Sequence, residues 1–132
     1  MTLTNLPVHV QIDISWDVIA RGYWQGNRRP DIWSVSADGQ SWFETSFSTY
    51  TTQAFPDAYP GGRNPRASGA LETNTLGYEL SFADDQMLED ARFRITAGGA
   101  HTNRAVVLSF DANLGNPAEA GWSLDNVAVV AK

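Results

Sequence analysis

The chain has 132 residues, with fifteen Asp or Glu against nine Lys or Arg, and a formal net charge of −6 at pH 7. This length is typical of one folded unit, so a single domain is predicted over residues 1–132. The acidic balance argues against binding to nucleic acid or to anionic membrane surfaces. The absence of cysteine excludes disulfides, thiolate nucleophiles and cysteine-ligated metal centres. The apolar runs fall far short of the roughly 18 residues of a spanning helix, so no membrane span is expected.

The strands can be predicted in chain order. Residues 8–16 alternate apolar and polar side chains, the period of a half-buried strand. Residues 32–36 and 41–47 flank Asp38-Gly39, which predicts a hairpin with a tight turn. Further strands are predicted over residues 75–82, 92–97, 104–111 and 122–130. Gly98-Gly99 is expected to break the chain. Short strands with turn residues between them predict an all-β fold, an antiparallel β-sandwich of jelly-roll type.

The core of this sandwich is expected to form from the apolar side chains on one face of each strand. The expected core residues are Val8, Val10, Ile12, Ile14, Trp33, Val35, Leu80, Phe82, Val107, Val127 and Val129. Trp16, Trp42 and Trp122 also lie in or beside strand patterns. They are therefore expected in the core rather than on a binding surface.

Two long irregular segments, residues 17–31 and 48–74, interrupt the strand pattern. Loops of this length within a compact domain are usually functional or mobile. The first segment carries Tyr23 and Trp24, and the second carries Tyr50 and Tyr59. Both segments are therefore candidates for a binding surface.

Aromatic side chains in polar surroundings suit the binding of sugars, because the C–H face of a sugar ring stacks on a flat aromatic ring. Tyr23 and Trp24 lie in a polar, glycine-interrupted stretch and are predicted to form an exposed platform. The residues expected to edge this platform and to bind sugar hydroxyls are Arg21, Gln25, Asn27 and Arg28, with Tyr50 and Tyr59 as further candidates. The alternative at this point is that these aromatics pack in the core.

The sequence offers little for catalysis. A nucleophilic triad needs a base, and only His9 and His101 are available, with no Gly-x-Ser-x-Gly sequence around any serine. The phosphate-binding glycine patterns do not occur. A glycosidase with two facing carboxylates stays open as an alternative, since the chain has fifteen acidic residues. The favoured hypothesis is that the protein is not an enzyme.

Asp125 is a candidate metal ligand, because alternation places it on the same face as Val127 and Val129. If these valines face the core, the carboxylate points inward and needs hydrogen bonds, a cation or a metal to balance it. One interpretation is that backbone amides satisfy it. The other is a structural calcium ion held with Asp17 and Glu119, because calcium prefers several flexible oxygen ligands.

Several short motifs are shared with a known group of domains. They are Leu6-Pro-x-His9, Ser15-Trp-Asp17, Pro30-Asp-Ile-Trp33, Asp38-Gly39, Thr45-Ser-Phe47, Gln53-x-Phe-Pro56, Leu76-Gly-Tyr78 and Glu119-x-x-Trp-Ser-Leu-Asp-Asn-Val127. In this order the sequence resembles secreted bacterial β-sandwich domains that are common in proteins with exosortase-type (PEP-CTERM) sorting signals. Its ending is also similar to that of jelly-roll carbohydrate-binding and MAM domains.

This resemblance implies a secreted or cell-surface location, and it implies that Asp125 ligates a structural calcium ion. Two features depart from the pattern. Val18 stands where the group has glycine, and an insertion that carries Tyr23 and Trp24 precedes Trp33. The group also has strands before the Leu6-Pro-x-His9 motif, so N-terminal strands are expected to be missing here.

The function predicted from these features is that of a noncatalytic extracellular module that binds carbohydrate, such as a cell-surface polysaccharide, or mediates adhesion. The alternative is a structural domain that binds another protein, for example through an exposed sheet edge.

Overall fold

The computed structural model describes residues 1–28, 31–77, 80–81 and 87–132. The strands are β1 (Thr2–Leu3), β2 (Gln11–Gly22), β3 (Ile32–Ala37), β4 (Gln40–Ser46), β5 (Thr52–Gln53), β6 (Asn64–Pro65), β7 (Ala70–Thr73), β8 (Leu80–Ser81), β9 (Met87–Leu88), β10 (Ala91–Ala100), β11 (Val106–Asn113) and β12 (Ala120–Ala131). Among the described residues there is no helix that could span a membrane.

Two four-stranded antiparallel sheets make up most of the fold. Their strand orders are β1-β11-β3-β4 and β12-β2-β10-β7, and β5 pairs with β6 and β8 with β9 in two small additional sheets. The large sheets pack face to face around a shared apolar core. The predicted all-β antiparallel sandwich is therefore confirmed.

The hairpin of β3 and β4 follows the predicted boundaries closely. Asp38 has φ 49° and Gly39 has φ 79°. Positive φ at both central residues is what a two-residue turn needs to match the twist of its strands. The Asp-Gly pair thus sets the register of the two strands, with Ala37 opposite Gln40.

The core lies between the two sheets and is rich in aromatic rings. Trp16 of β2 stacks on Trp33 of β3 with ring centroids 5.5 Å apart, which joins one sheet to the other. The largest fully buried side chains are Trp16, Trp24, Trp33, Phe47, Phe93, Ile12, Ile14, Leu108, Gln53, Val18 and Val35. Val127, Val129, Trp42 and Trp122 are partly buried against this cluster.

Three of the expected core residues are exposed instead. Val8 is 90% exposed and Val10 is 71% exposed, because regular pairing starts only at Gln11 and the preceding segment turns His9 inward. Val107 is 46% exposed, since the register of β11 points Val106 and Leu108 into the core. Phe82 and the side chain of Leu80 lie outside the described part of the chain.

β2 and β10 both continue through residues where the sequence predicted that the strand had ended. β2 continues to Gly22, where residues on both of its faces are buried, so the polar alternation typical of a strand is lost. β10 runs through Gly98-Gly99 without a break. A Cβ on Gly98 would lie 2.4 Å from an oxygen of Asp13, and one on Gly99 would lie 3.2 Å from the ring of Trp42. These glycines permit close approach of neighbours and do not end the strand.

A pair of buried histidines closes one end of the sandwich. His9 Nδ1 lies 2.6 Å from the Pro7 carbonyl, His9 Nε2 lies 2.7 Å from His101 Nδ1, and His101 Nε2 lies 3.1 Å from Asp38 Oδ2. The Val107 amide donates to the other Asp38 oxygen, and this bond, with that of His101, lowers the pKa of the Asp38 carboxyl against the effect of burial. The hairpin turn of one sheet is therefore linked through His101 and His9 to the end of β10 and the start of β2 in the other sheet.

Candidate functional site

The candidate site lies where β2 ends. Gly22 closes this strand with φ 79°, and a Cβ at this position would come within 2.1 Å of the Glu119 carbonyl. The strand therefore ends against the segment before β12. This close approach needs glycine, and it fixes the direction in which the next two residues leave the sheet.

Trp24 does not form part of an exposed platform, so that prediction is wrong. The indole is fully buried, meets Phe47 edge to face at 5.6 Å, and donates through Nε1 to the Gly121 carbonyl at 2.8 Å. The polar sequence around it suggested exposure. The side chain of Asn27, from the same polar stretch, instead holds the loop, and the large apolar ring fills the end of the core.

Tyr23 and Tyr50 lie together at the surface beside this buried ring. Both are half-buried, and their ring centroids are 5.6 Å apart at an interplanar angle of 47°. The Tyr23 amide donates to the Glu119 carbonyl at 2.8 Å, and the Tyr50 amide donates to Ser48 Oγ at 3.1 Å. The structure thus brings together two predicted binding residues from two separate segments.

A small cavity of about 250 Å³ lies beside Gly22, next to Tyr23 in sequence, and Arg21 and Glu119 are among its lining residues. Both residues are exposed. Arg21 was expected in a sugar site and Glu119 in a metal site. The structure thus places one basic and one acidic residue at the same cavity.

The other predicted rim residues have different positions. Asn27 serves as an internal brace, since its Nδ2 donates to the Gly62 carbonyl at 3.0 Å and its Oδ1 accepts from Ser46 Oγ at 2.7 Å. Gln25 is half-buried and Arg28 is exposed on the same turn. Tyr59 lies along β4, where its amide donates to the Glu44 carbonyl at 2.8 Å.

Two buried polar residues that belong to the shared motifs, but had no role assigned from the sequence, hold these loops. Asp31 accepts from the Gln25 amide at 2.8 Å and from the Gly115 amide at 2.7 Å. Gln53 is fully buried. Its Oε1 accepts from the amides of Ser48 and Ala67, and its Nε2 donates to the carbonyls of Phe55 and Ser68. The motifs Pro30-Asp-Ile-Trp33 and Gln53-x-Phe-Pro56 contain these residues but do not indicate which backbone groups they bind.

Arg66 is a further residue of this surface that the sequence did not indicate. Its Nη1 donates to the Thr49 carbonyl at 3.1 Å, directly before Tyr50. A cavity of about 80 Å³ lies beside it, with Ser48, Thr49 and Glu89 in its lining. The Tyr23–Tyr50 pair is therefore flanked by one arginine from β2 and by another from the second long segment.

The carboxylates expected to bind calcium do not share an oxygen cage. Asp125 lies opposite Asp17 in the pairing of β12 with β2, but it is exposed, so the predicted inward orientation is wrong. A bulge between Asp125 and Ala128 shifts the alternation, which puts Val127 inward without Asp125. Glu119 belongs to the cavity at Arg21. Within the described ranges no three His, Asp or Glu side chains cluster in a way that suits a metal ion.

Asp17 is fully buried, and cationic and amide groups balance its charge. Arg94 Nε and Nη2 donate to its two oxygens at 2.6 and 2.9 Å, and Asn126 Nδ2 donates at 2.7 Å. The hydrogen bond from Arg94 lowers the pKa of the Asp17 carboxyl, burial opposes this, and Asn126 and the charge of Arg92 lower the pKa further. Protein groups therefore already supply the positive charge that a calcium ion would bring to the Asp17 carboxylate.

This arrangement predicts a specific loss of stability in acid. Because the folded pKa of Asp17 lies below its ordinary value of 3.8, its contribution is complete above that value and disappears as the pH falls through the folded pKa. Asp17→Asn should cost about 2 kcal/mol at neutral pH, a figure reduced because Arg94 is half exposed. Its unfolding free energy should also fall less steeply than that of the wild type between about pH 5 and pH 2.

Urea unfolding followed by tryptophan fluorescence at several pH values measures both effects. Asp125→Asn is the matched control, because this carboxylate faces Asp17 across the strand pair but is exposed. Equal pH slopes for the wild type and Asp17→Asn would contradict the assignment.

The comparison with known proteins adds no relative from which a role could be transferred. The chain matches none of the protein families, curated proteins or solved structures with which it was compared.

Proposed function

We propose that this chain is a noncatalytic binding domain of an extracellular bacterial protein, and that it recognises carbohydrate at the Tyr23–Tyr50 pair. The observation that carries this proposal is the contact of these two rings, 5.6 Å apart, from two separate loops. A pair of half-buried aromatic side chains offers apolar area that is rigid and partly accessible. The secreted location is inferred from the motif resemblance alone.

The groups around the rings suit a polyhydroxylated ligand. Sugar hydroxyls both donate and accept hydrogen bonds, so a site with a guanidinium and a carboxylate can bind two neighbouring hydroxyls in opposite senses. Arg21 and Glu119 supply this combination in the adjoining cavity. Arg66 adds a donor near Tyr50.

The energetics of such a site favour weak binding. Stacking of one sugar ring on an aromatic ring contributes on the order of 1 kcal/mol. A shallow site with two rings and a few hydrogen bonds therefore fits low affinity per domain, raised where several copies bind a repetitive polysaccharide. Adhesion to a cell-surface glycan is consistent with this kind of binding.

The test is a glycan array with plant, algal, bacterial and animal glycans, followed by calorimetry on any glycan that is bound. Tyr23→Ala and Tyr50→Ala should each weaken binding by about fivefold. Tyr59→Ala is the matched control and should bind as the wild type does, because Tyr59 lies along β4.

Two results would contradict the proposal. One is the absence of binding across the array. The other is binding that Tyr59→Ala weakens as much as Tyr23→Ala and Tyr50→Ala do. Thermal unfolding of each variant separates a lost contact from a lost fold.

A further inference from the structure

The long strand β12 is the edge of its sheet, where it pairs with β2 on one side. After the bulge at Asn126, residues 127–131 read Val-Ala-Val-Val-Ala, without a charge or a proline. Val130 is 50% exposed. Edge strands of soluble proteins are usually protected by charges, prolines or short length. This part of β12 has none of these protections.

The direction of its free backbone groups follows from its pairing. Lys132 and Gln11 exchange hydrogen bonds in both directions, at 2.9 and 3.1 Å. In an antiparallel ladder the residues that bond to one neighbour alternate with those that face the other side. The amides and carbonyls of Val129 and Ala131 therefore point to the open edge, and the same alternation extends to Val127.

An apolar cleft of about 600 Å³ runs beside this edge. Met1, Leu3, Leu6 and Pro7 line one side of it, and Val127 and Val129 line the other. Met1 is 52% exposed. A partner at this edge therefore needs both a strand backbone and apolar side chains on the face that meets the cleft.

We propose that this edge pairs with β12 of a second copy of the chain, antiparallel and centred on Val129. In this register the two Val129 residues face each other, and Val127 faces the partner's Ala131. All of these residues point their backbone amides and carbonyls to the open edge. One two-fold axis relates the two strands, so the outward groups of each copy can bond to those of the other. The partner's Val127 and Val129 then lie over the apolar cleft.

The charges at the ends of the paired stretch agree with a second copy as the occupant. Asp125 and Lys132 lie on the same outer face of β12, since they pair with Asp17 and Gln11 of β2. The antiparallel register brings Lys132 opposite the partner's Asn126 and next to the partner's Asp125. Lys132 Nζ is already bonded to Asp13 of its own copy. Each end of the contact therefore adds the partner's Asp125 as a second carboxylate beside the same ammonium, although each copy carries a net charge of −6. This proposal is independent of carbohydrate binding.

Sedimentation velocity over a wide range of concentration tests the pairing. We expect the mass of the wild type to rise from one copy to two. Ala131→Pro should weaken association more than about tenfold, because proline removes an outward amide and leaves the ladder to β2 intact. Ala131→Ser keeps this amide and should associate as the wild type does. Circular dichroism and thermal unfolding check that both variants fold.

A charge reversal tests the register. Asp125→Lys should weaken association, because it places a second cation beside the partner's Lys132, and Asp125→Asn should weaken it less. A wild type that stays a single copy at every concentration overturns the proposal and leaves the edge to a strand of another protein. Equal association of Ala131→Pro and Ala131→Ser, or of Asp125→Lys and the wild type, also overturns it.

Discussion

Replacing Trp24 with alanine should lower the free energy of unfolding by about 3 to 5 kcal/mol. The indole is fully buried against Phe47 and closes the end of the core. Its removal leaves a cavity, and it also leaves the Gly121 carbonyl without the Nε1 donor. Urea unfolding followed by circular dichroism measures the change, since the signal then does not depend on the substituted tryptophan.

Trp24→Phe separates the two contributions. Phenylalanine retains most of the apolar volume but cannot donate to the Gly121 carbonyl, so its cost should be much smaller, about 1 to 2 kcal/mol. A loss below about 1 kcal/mol for Trp24→Ala would show that the ring is exposed in solution, as the sequence had suggested.

The second large effect is expected at Gln53. Gln53→Met keeps the size of the side chain but removes hydrogen bonds to four backbone groups. Because these groups lie in the interior or close to it, the expected loss is about 2 to 4 kcal/mol. The segment that Gln53 braces also carries Tyr50, so glycan binding should weaken in the same variant.

Gln40→Met is the control for this substitution. Gln40 begins β4 and is exposed, so the same exchange there should change the unfolding free energy by less than about 0.5 kcal/mol. Similar losses for the two variants would mean that Gln53 is not the brace that its contacts indicate.

The sequence predicts those parts of the fold that depend on local signals. The Asp38-Gly39 turn is one, because its backbone angles favour a particular residue pair. The alternation around Ile12 and Ile14 is another. The prediction fails at Val8 and Val10, where the pattern continues before the strand begins, and at Gly98-Gly99, where glycine serves close packing instead of a turn.

The candidate site is less predictable, because its residues come from segments that meet only in three dimensions. Tyr23 and Tyr50 could be named from their polar surroundings, but their contact could not. The burial of Trp24 depends on Phe47 and Gly121, which are distant in sequence. Asp31 and Gln53 lie in shared motifs, but their partners are backbone groups, which any segment supplies. The motifs could therefore not reveal what these two side chains bind.

The histidine pair has a consequence that follows from counting protons. The Pro7 carbonyl and the Asp38 carboxylate at its two ends can only accept, and three contacts span the four ring nitrogens between them. Three such bonds need three N–H protons, whereas two neutral imidazoles carry two. Two neutral rings can therefore place a proton in only two of the three contacts, and the position of each proton fixes which atom donates in the next contact. The residue that turns the hairpin is thus joined to the other sheet by a relay of ring nitrogens.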